Sequence, residues 1–155
     1  MSRIPGFVGA VIEHRPRVVR RVYRSQDCPH LVRVFFSLSG RHNPMSDYFR
    51  GNLPGSELQI HCWMDTSLME LTKLIQGHLP EARVKGTSFY FSFVFMDNRG
   101  RRYRMKDVGS TCYGQTGPHD SKTLFNCRFK IGDFLDVAIE IPPPKHEAST
   151  YHRKF

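Results

Sequence analysis

The chain contains 155 residues, and its 23 lysines and arginines against 14 acidic residues give a formal net charge of +9 at pH 7. This length favours a single domain, and a hydrophobic content of 39% is typical of a folded chain and argues against wholesale disorder. No apolar run approaches the ~20 residues that a membrane-spanning helix needs. The positive charge favours anionic partners, either nucleic acid or acidic protein.

The basic residues are concentrated towards the two ends. Residues 1–27 hold six arginines and two acidic residues, without a sustained hydrophobic period. We therefore predict a flexible basic arm over residues 1–27, a folded domain over residues 28–141 and a Pro-rich, basic tail over residues 142–155. A candidate nuclear-import patch in the arm consists of Arg15, Arg17, Arg20, Arg21 and Arg24. The alternative is a solvated tail that binds nothing.

Two strand patterns open the predicted domain. Residues 31–37 are rich in β-branched and aromatic residues, and residues 57–62 alternate apolar with polar side chains. Between them, residues 45–55 are predicted to form a loop that ends at Pro54 and Gly55.

One helix is predicted after the second strand. Ser67 and Glu70 have the spacing of a capping box, and Pro80 ends the helical pattern. The apolar stripe of this helix consists of Leu68, Leu71, Ile75 and Leu79.

Three further strands follow the helix. Residues 87–96 place Phe89, Phe91, Phe93 and Phe95 on one face, which indicates a core-facing strand. A turn at residues 97–100 leads into a hairpin partner at residues 101–108, and residues 109–122 are predicted to form a long polar loop. The last strand, residues 134–141, is predicted to turn Asp136 and Glu140 outward.

This order predicts an α+β fold in which one main helix packs on one face of a mixed sheet of about five strands, the ubiquitin-like β-grasp arrangement. The long connection through the helix predicts that its two flanking strands run parallel or lie near each other.

We find no pattern that indicates a catalytic, cofactor-binding or metal-binding site. Cys112 with His119 and Asp120 lies in a glycine-rich segment that does not preorganise a nucleophile. Cys28 and His30 lack the ligand spacing of a zinc site, with or without His61 and Cys62. Residues 109–117 lack the lysine of a phosphate-binding loop, and Asp133 with Asp136 is a weak carboxylate pair. The four cysteines are predicted to be free, mostly buried thiols.

A basic strand face is the candidate binding surface of the domain. It consists of Arg99, Arg101, Arg102, Arg104 and Lys106, with Tyr90 on the neighbouring strand. Such a surface suits RNA phosphates with some base stacking, or the acidic side of a protein partner. A charged edge strand that only guards the sheet against aggregation is the alternative.

Several motifs resemble those of the eighteen-kilodalton Sin-associated polypeptides, non-catalytic subunits of the Sin histone deacetylase corepressor. The most distinctive run is Gly-Asn-Leu-Pro-Gly-Ser-Glu-Leu-Gln-Ile at residues 51–60. Similar runs lie at residues 31–35, 40–42, 63–65, 80–83, 85–87, 109–111 and 131–139. The resemblance covers about residues 28–141, whereas the arm and the tail diverge from the family pattern.

The resemblance implies a ubiquitin-like fold with insertions and a non-enzymatic adaptor role. Its implied partners are a Sin-type corepressor and histone deacetylase assembly. It also implies membership of the apoptosis- and splicing-associated complex, with Acinus and a serine-rich RNA-binding protein, at the periphery of the exon junction complex. We therefore expect transcriptional repression, mRNA splicing and RNA contact made mainly through partners. The expected location is the nucleus, including nuclear speckles, and also the cytoplasm, with no membrane association.

Overall fold

A five-stranded mixed sheet organises the described part of the chain, which in this computed structural model comprises residues 21–49, 51–99 and 102–145. The strands are β1 (His30–Ser37), β2 (Glu57–Cys62), β3 (Ser88–Asp97), β4 (Arg102–Cys112) and β5 (Phe134–Glu140). The helices are α1 (Ser46–Phe49), α2 (Leu68–His78) and a short 3-10 helix, Pro80–Arg83. The described helices lack the length and apolar content that crossing a membrane requires.

The strand order in the sheet is β2-β1-β5-β3-β4. β1 and β5 are parallel, and the other neighbouring pairs are antiparallel. β2 and β3, which flank α2 in the chain, therefore run in the same direction with β1 and β5 between them. This topology confirms the predicted α+β, ubiquitin-like β-grasp fold.

The start of α2 follows the predicted capping pattern. Ser67 Oγ accepts a hydrogen bond from the backbone N–H of Glu70 at 3.1 Å, which satisfies one of the free donors of the first turn. The helix ends before Pro80, which begins the 3-10 helix that the sequence pattern did not predict.

The main core lies between α2 and the sheet. Three phenylalanines of β3 are buried there, and Phe95 is partly buried against the same cluster, as predicted. The helix contributes Leu68, Leu71 and Ile75, which are buried on the predicted stripe.

A second hydrophobic cluster covers part of the opposite face of the sheet. Its buried members are Phe35, Tyr48 and Val94. The prediction that residues 45–55 form only a loop is therefore wrong at α1. Tyr48 of this short helix has no exposed surface, because it packs edge-on against Phe35 with 5.7 Å between the ring centroids.

Strand β4 is longer than predicted. The prediction that residues 109–122 form a loop is wrong for residues 109–112. These residues continue β4 and pair with β3 beyond a register shift at Phe91 and Ser92. The shift re-aims the strand and places Gly109 against the first turn of α2. A Cβ at Gly109 would lie 3.0 Å from a Leu68 methyl group, so glycine permits this close approach.

Candidate functional site

The predicted basic surface lies on the outer strand of the sheet. Arg102, Arg104 and Lys106 are exposed and stand opposite Asp97, Phe95 and Phe93 of β3. Directly opposed residues share a face, so the three basic side chains point to the α2 side of the sheet. We call these three residues the basic edge.

One ion pair partly neutralises the basic edge. Arg104 Nε lies 2.9 Å from Asp97 Oδ2, while the arginine side chain remains 68% exposed. Arg99 lies in the exposed turn before β4. Arg101 lies outside the described residues.

Tyr90 is not brought to the basic edge. It stands opposite Ser110, near the other end of β4, and its hydroxyl donates to Glu140 at 3.3 Å. Because Tyr90 alternates with Phe89 and Phe91, its ring is on the face opposite α2. The described structure therefore separates the predicted stacking ring from the predicted phosphate-binding arginines.

The arginine patch of the arm divides into two parts. Arg15, Arg17 and Arg20 lie outside the described residues, and Arg21 lies 5.9 Å from the ring of Tyr23.

Arg24 is anchored to the domain. Its guanidinium lies 5.1 Å from the Trp63 ring centroid, 3.0 Å from Asp65 and 2.9 Å from Glu70. The hydrogen bond that Arg24 donates to Glu70 is the main cause that raises the pKa of Arg24 above its ordinary value. Trp63 Nε1 also donates to the backbone oxygen of Asp27 at 2.9 Å. The end of the predicted arm thus contacts the start of α2.

A groove of about 890 Å³ adjoins this anchor and was not predicted from the sequence. Its apolar lining includes Trp63, Met64, Phe125 and Ile131, of which Ile131 is 70% exposed. His30 also lines the groove, and its buried Nε2 has no hydrogen-bond partner in the described structure.

A buried carboxylate on β5 contradicts another prediction. Asp136, predicted to face outward, has no exposed surface because α1 and the preceding loop cover it. It accepts hydrogen bonds from Tyr48 Oη, from Asn43 Nδ2 at 3.0 Å and from Asn43 N at 3.3 Å. His42 Nδ1 lies 2.7 Å from Asp136 Oδ1, the oxygen that also accepts from Asn43 N. The nearby Tyr48 pKa is raised well above its ordinary range, first by burial and then by Asp136.

The groups considered for nucleophilic chemistry have other contacts. His119 Nδ1 accepts from the backbone N–H of Ser110 at 3.1 Å, and Asp120 accepts from Gly117 N–H at 2.9 Å. Cys112 Sγ has its closest hydrogen-bond partner in the backbone oxygen of Tyr113, at 4.0 Å. His119 and Asp120 therefore fix the loop after β4.

All four cysteines are free, as predicted, but the prediction that they are mostly buried is wrong: Cys62 is buried, Cys112 and Cys127 are partly buried, and Cys28 is exposed. Burial raises the pKa of the Cys62 thiol to about 11, and burial also raises the pKa of Cys127. In the described ranges, no three His, Cys, Asp or Glu side chains are grouped in a way that could hold a metal ion.

The chain matches the family model of Sin3 associated polypeptide p18 over residues 21–139. It is 52% identical over 119 residues to the mouse (Mus musculus) histone deacetylase complex subunit SAP18, covering 77% of this chain and 78% of that protein. It is 48% identical over 132 residues to the human subunit of that name, covering 83% and 86%. The Drosophila melanogaster subunit is 42% identical over 147 residues, covering 95% and 96%. A family match over most of the chain and relatives of nearly the same length identify this chain as a member of the Sin3 associated polypeptide p18 family.

Proposed function

We propose that this chain is a non-enzymatic adaptor subunit of a histone deacetylase corepressor complex of the Sin type. The observation that carries the proposal is the similarity to relatives named as histone deacetylase complex subunits, one of which is 42% identical over 95% of this chain. The family match covers residues 21–139 and therefore α2, β1 to β4 and all of β5 except its last residue.

The chemistry of the described residues supports an adaptor role. The fully buried polar residues of this part of the chain make structural contacts, such as those of Asp136 with Tyr48 and Asn43. Exposed features are better suited to contact with a partner: an outer strand with basic side chains and a groove lined by Trp63 and Ile131. A small domain of this kind acts by positioning larger proteins.

The finer part of the proposal concerns the complexes joined. We propose a second assembly, the apoptosis- and splicing-associated complex with Acinus and a serine-rich RNA-binding protein, and a nuclear location that includes speckles, with a cytoplasmic fraction. The support is the motif resemblance over residues 28–141. Import through the arginine patch belongs to the same proposal.

Direct RNA binding by the basic edge is the alternative function. The separation of Tyr90 from Arg102, Arg104 and Lys106 does not favour it, because a stacking surface needs rings beside the phosphate-binding groups. If RNA binds, its affinity must fall steeply with salt. Binding that is absent at physiological salt, or unchanged when the three residues become serine, excludes this function.

Co-purification from nuclear extract tests the adaptor proposal. The tagged full chain is expected to recover a histone deacetylase and a Sin-type scaffold, together with Acinus for the splicing assembly. Ribonuclease treatment before elution separates direct partners from those bridged by RNA, and the tag alone gives the background. If a bait with a cooperative unfolding transition recovers none of these proteins, the proposal is wrong.

A further inference from the structure

The outer side of β4 is open along only part of its length. At its C-terminal half, Ser110 N–H donates to His119, and the backbone oxygen of Val108 accepts from Lys122 Nζ at 3.2 Å. The segment after β4 therefore covers this half. For residues 102–107, the described structure shows no backbone hydrogen bond other than those of the ladder with β3.

An outer strand turns alternate backbone N–H and C=O groups away from its sheet. Residues 102–107 thus present free donors and acceptors over about 20 Å at ~3.3 Å per residue. A second extended chain can pair with such an edge by adding a strand.

The two faces of this open stretch differ in chemistry. Arg102, Arg104 and Lys106 project on the α2 side, and Tyr103 and Met105 pack, half-buried, against the cluster on the other side. A strand that pairs here would need acidic residues on one face and apolar residues on the other. A surface that requires this alternation accepts fewer partner sequences than a surface that offers positive charge alone.

Neighbouring charges strengthen the preference for an acidic strand. Lys122 and Lys106 both lie close enough to Cys127 to oppose the effect of burial on its pKa. Arg128 and Lys130 follow in the same segment and are exposed. Two acidic residues lie beside these cations. Asp97 of β3 pairs with Arg104. Asp107, the last residue of the open stretch, is exposed on the face opposite α2 and accepts a hydrogen bond from Ser92 Oγ.

We propose that residues 102–107 of β4 are a docking strand for an extended segment of a partner protein in which acidic and apolar residues alternate. The proposal rests on the adaptor function and specifies the chemistry of the partner. The segment pairs with the strand backbone, directs its carboxylates towards the basic edge and places its apolar side chains beside Tyr103 and Met105. An RNA partner would use the arginines without the backbone pairing.

The first test uses the full chain and a fluorescein-labelled hexapeptide of alternating glutamate and valine, followed by fluorescence anisotropy. The edge variant is Arg102→Ser with Arg104→Ser and Lys106→Ser. A control variant with the same loss of charge, Lys73→Ser with Lys85→Ser and Lys145→Ser, removes exposed cations outside β4. We expect the edge variant to lose at least about tenfold in affinity and the control variant less than about twofold.

Two further probes separate strand addition from charge attraction. The same peptide with alternate backbone nitrogens methylated cannot pair as a strand, so we expect it to bind at least about tenfold more weakly. Bound peptide is also expected to slow amide hydrogen exchange in residues 102–107 and to leave residues 110–112 unchanged. An uridine oligonucleotide of similar charge serves as the RNA probe.

Every other pattern overturns the proposal. Equal losses in the two variants would indicate general electrostatics, and undiminished binding of the methylated peptide would indicate salt contacts without strand pairing. Binding of the oligonucleotide alone, or no peptide binding up to about 1 mM, would also reject the docking strand. Co-purification tests the adaptor function separately from the docking strand. If the wild-type chain and the edge variant co-purify equally with the deacetylase, the adaptor function holds and the docking strand fails.

Discussion

Asp136 connects three separate parts of the chain: its own strand β5, the loop after β1, and α1. Its carboxylate receives donors from Asn43 in the loop after β1 and from Tyr48 in α1. A buried carboxylate is costly unless its oxygens are hydrogen-bonded, and these donors offset that cost. The cluster therefore fixes the β1–β2 connection on the face of the sheet opposite α2.

Replacing Tyr48 by phenylalanine tests this role. The variant leaves a buried carboxylate oxygen with one donor fewer, so we expect the free energy of unfolding in urea to fall by about 1–3 kcal/mol. Tyr90→Phe is the matched control, because that exposed hydroxyl binds Glu140 at the surface, and its loss should cost less than about 0.5 kcal/mol. Equal losses for the two variants would contradict a structural role for the Asp136 cluster.

The cysteine thiols should differ in reactivity because they differ in burial. Cys62 is 1% exposed and burial raises its pKa to about 11, so about one thiol in a thousand would be ionised at pH 8 even if reagent reached it. Cys28 is exposed. We expect iodoacetamide to modify Cys28 in the native chain and Cys62 only after unfolding in urea, as followed by peptide mass spectrometry. Equal modification rates in the native chain would show that the β2 end of the core is open.

At the scale of elements, local signals predicted the strands and α2 well. The four phenylalanines of β3 and the cap at Ser67 need only sequence neighbours to be recognised. The alternation in residues 134–141 also predicted β5 correctly, but it did not predict that Asp136 is buried. What lies over a strand depends on a distant segment, here residues 45–55, whose glycine and proline suggested a plain loop. Tyr48 within that segment was the available signal of a second cluster.

The candidate surface shows the same division. The exposed position of Arg102, Arg104 and Lys106 follows from strand alternation. The distance of Tyr90 from them does not, because it depends on the register between β3 and β4 and on the shift near Phe91. Likewise, the groove at Trp63 forms between residues 63–65, which follow β2, and the segment around Phe125, which is far away in the chain.

An ion pair joins β1 to β2 and predicts a pH dependence. Arg33 Nη2 lies 3.0 Å from Glu57 Oε2, and this hydrogen bond lowers the pKa of Glu57 below its ordinary value. A lowered carboxyl pKa contributes stability above the pKa of the unfolded chain, and that stability is lost as the pH falls through the folded value. Glu57→Gln should therefore lower the free energy of unfolding at pH 7, by at most about 1 kcal/mol because solvent screens the pair.

The difference between wild type and Glu57→Gln should close as the pH falls below the ordinary glutamate range and through the lower pKa of folded Glu57, as urea unfolding at a series of pH values would show. Glu81→Gln, on the exposed 3-10 helix, is the control and should change little at any pH. A difference that stays constant from pH 7 to acidic pH would indicate that the glutamine perturbs packing and that the ion pair contributes nothing.

At the scale of the whole molecule, the sheet is shared by two clusters. The main cluster packs under α2, and the second cluster of Phe35, Tyr48 and Val94 lies on the opposite face. Phe35 and Val34 are consecutive in β1 and belong to different clusters. A substitution that disturbs β1 on one face of the sheet therefore also disturbs the packing on the other face. An adaptor of this size can thus keep a free outer strand and a groove while its centre stays rigid.

This sharing predicts a single cooperative unfolding transition. Phe35→Ala removes a buried ring from the second cluster, which should lower the free energy of unfolding by about 3–5 kcal/mol. The loss should be large against the ~5–15 kcal/mol available to a domain. Trp63, the single tryptophan, follows β2 between Cys62 and Met64, which belong to the main cluster or pack against it. Its fluorescence therefore reports on this end of the α2 side of the sheet. We expect urea transitions followed by Trp63 fluorescence and by far-ultraviolet circular dichroism to shift together in this variant.

Leu74→Ala, at an exposed position of α2, is the control and should leave both transitions nearly in place. A shifted dichroism transition with an unmoved Trp63 transition would mean that the two faces unfold independently.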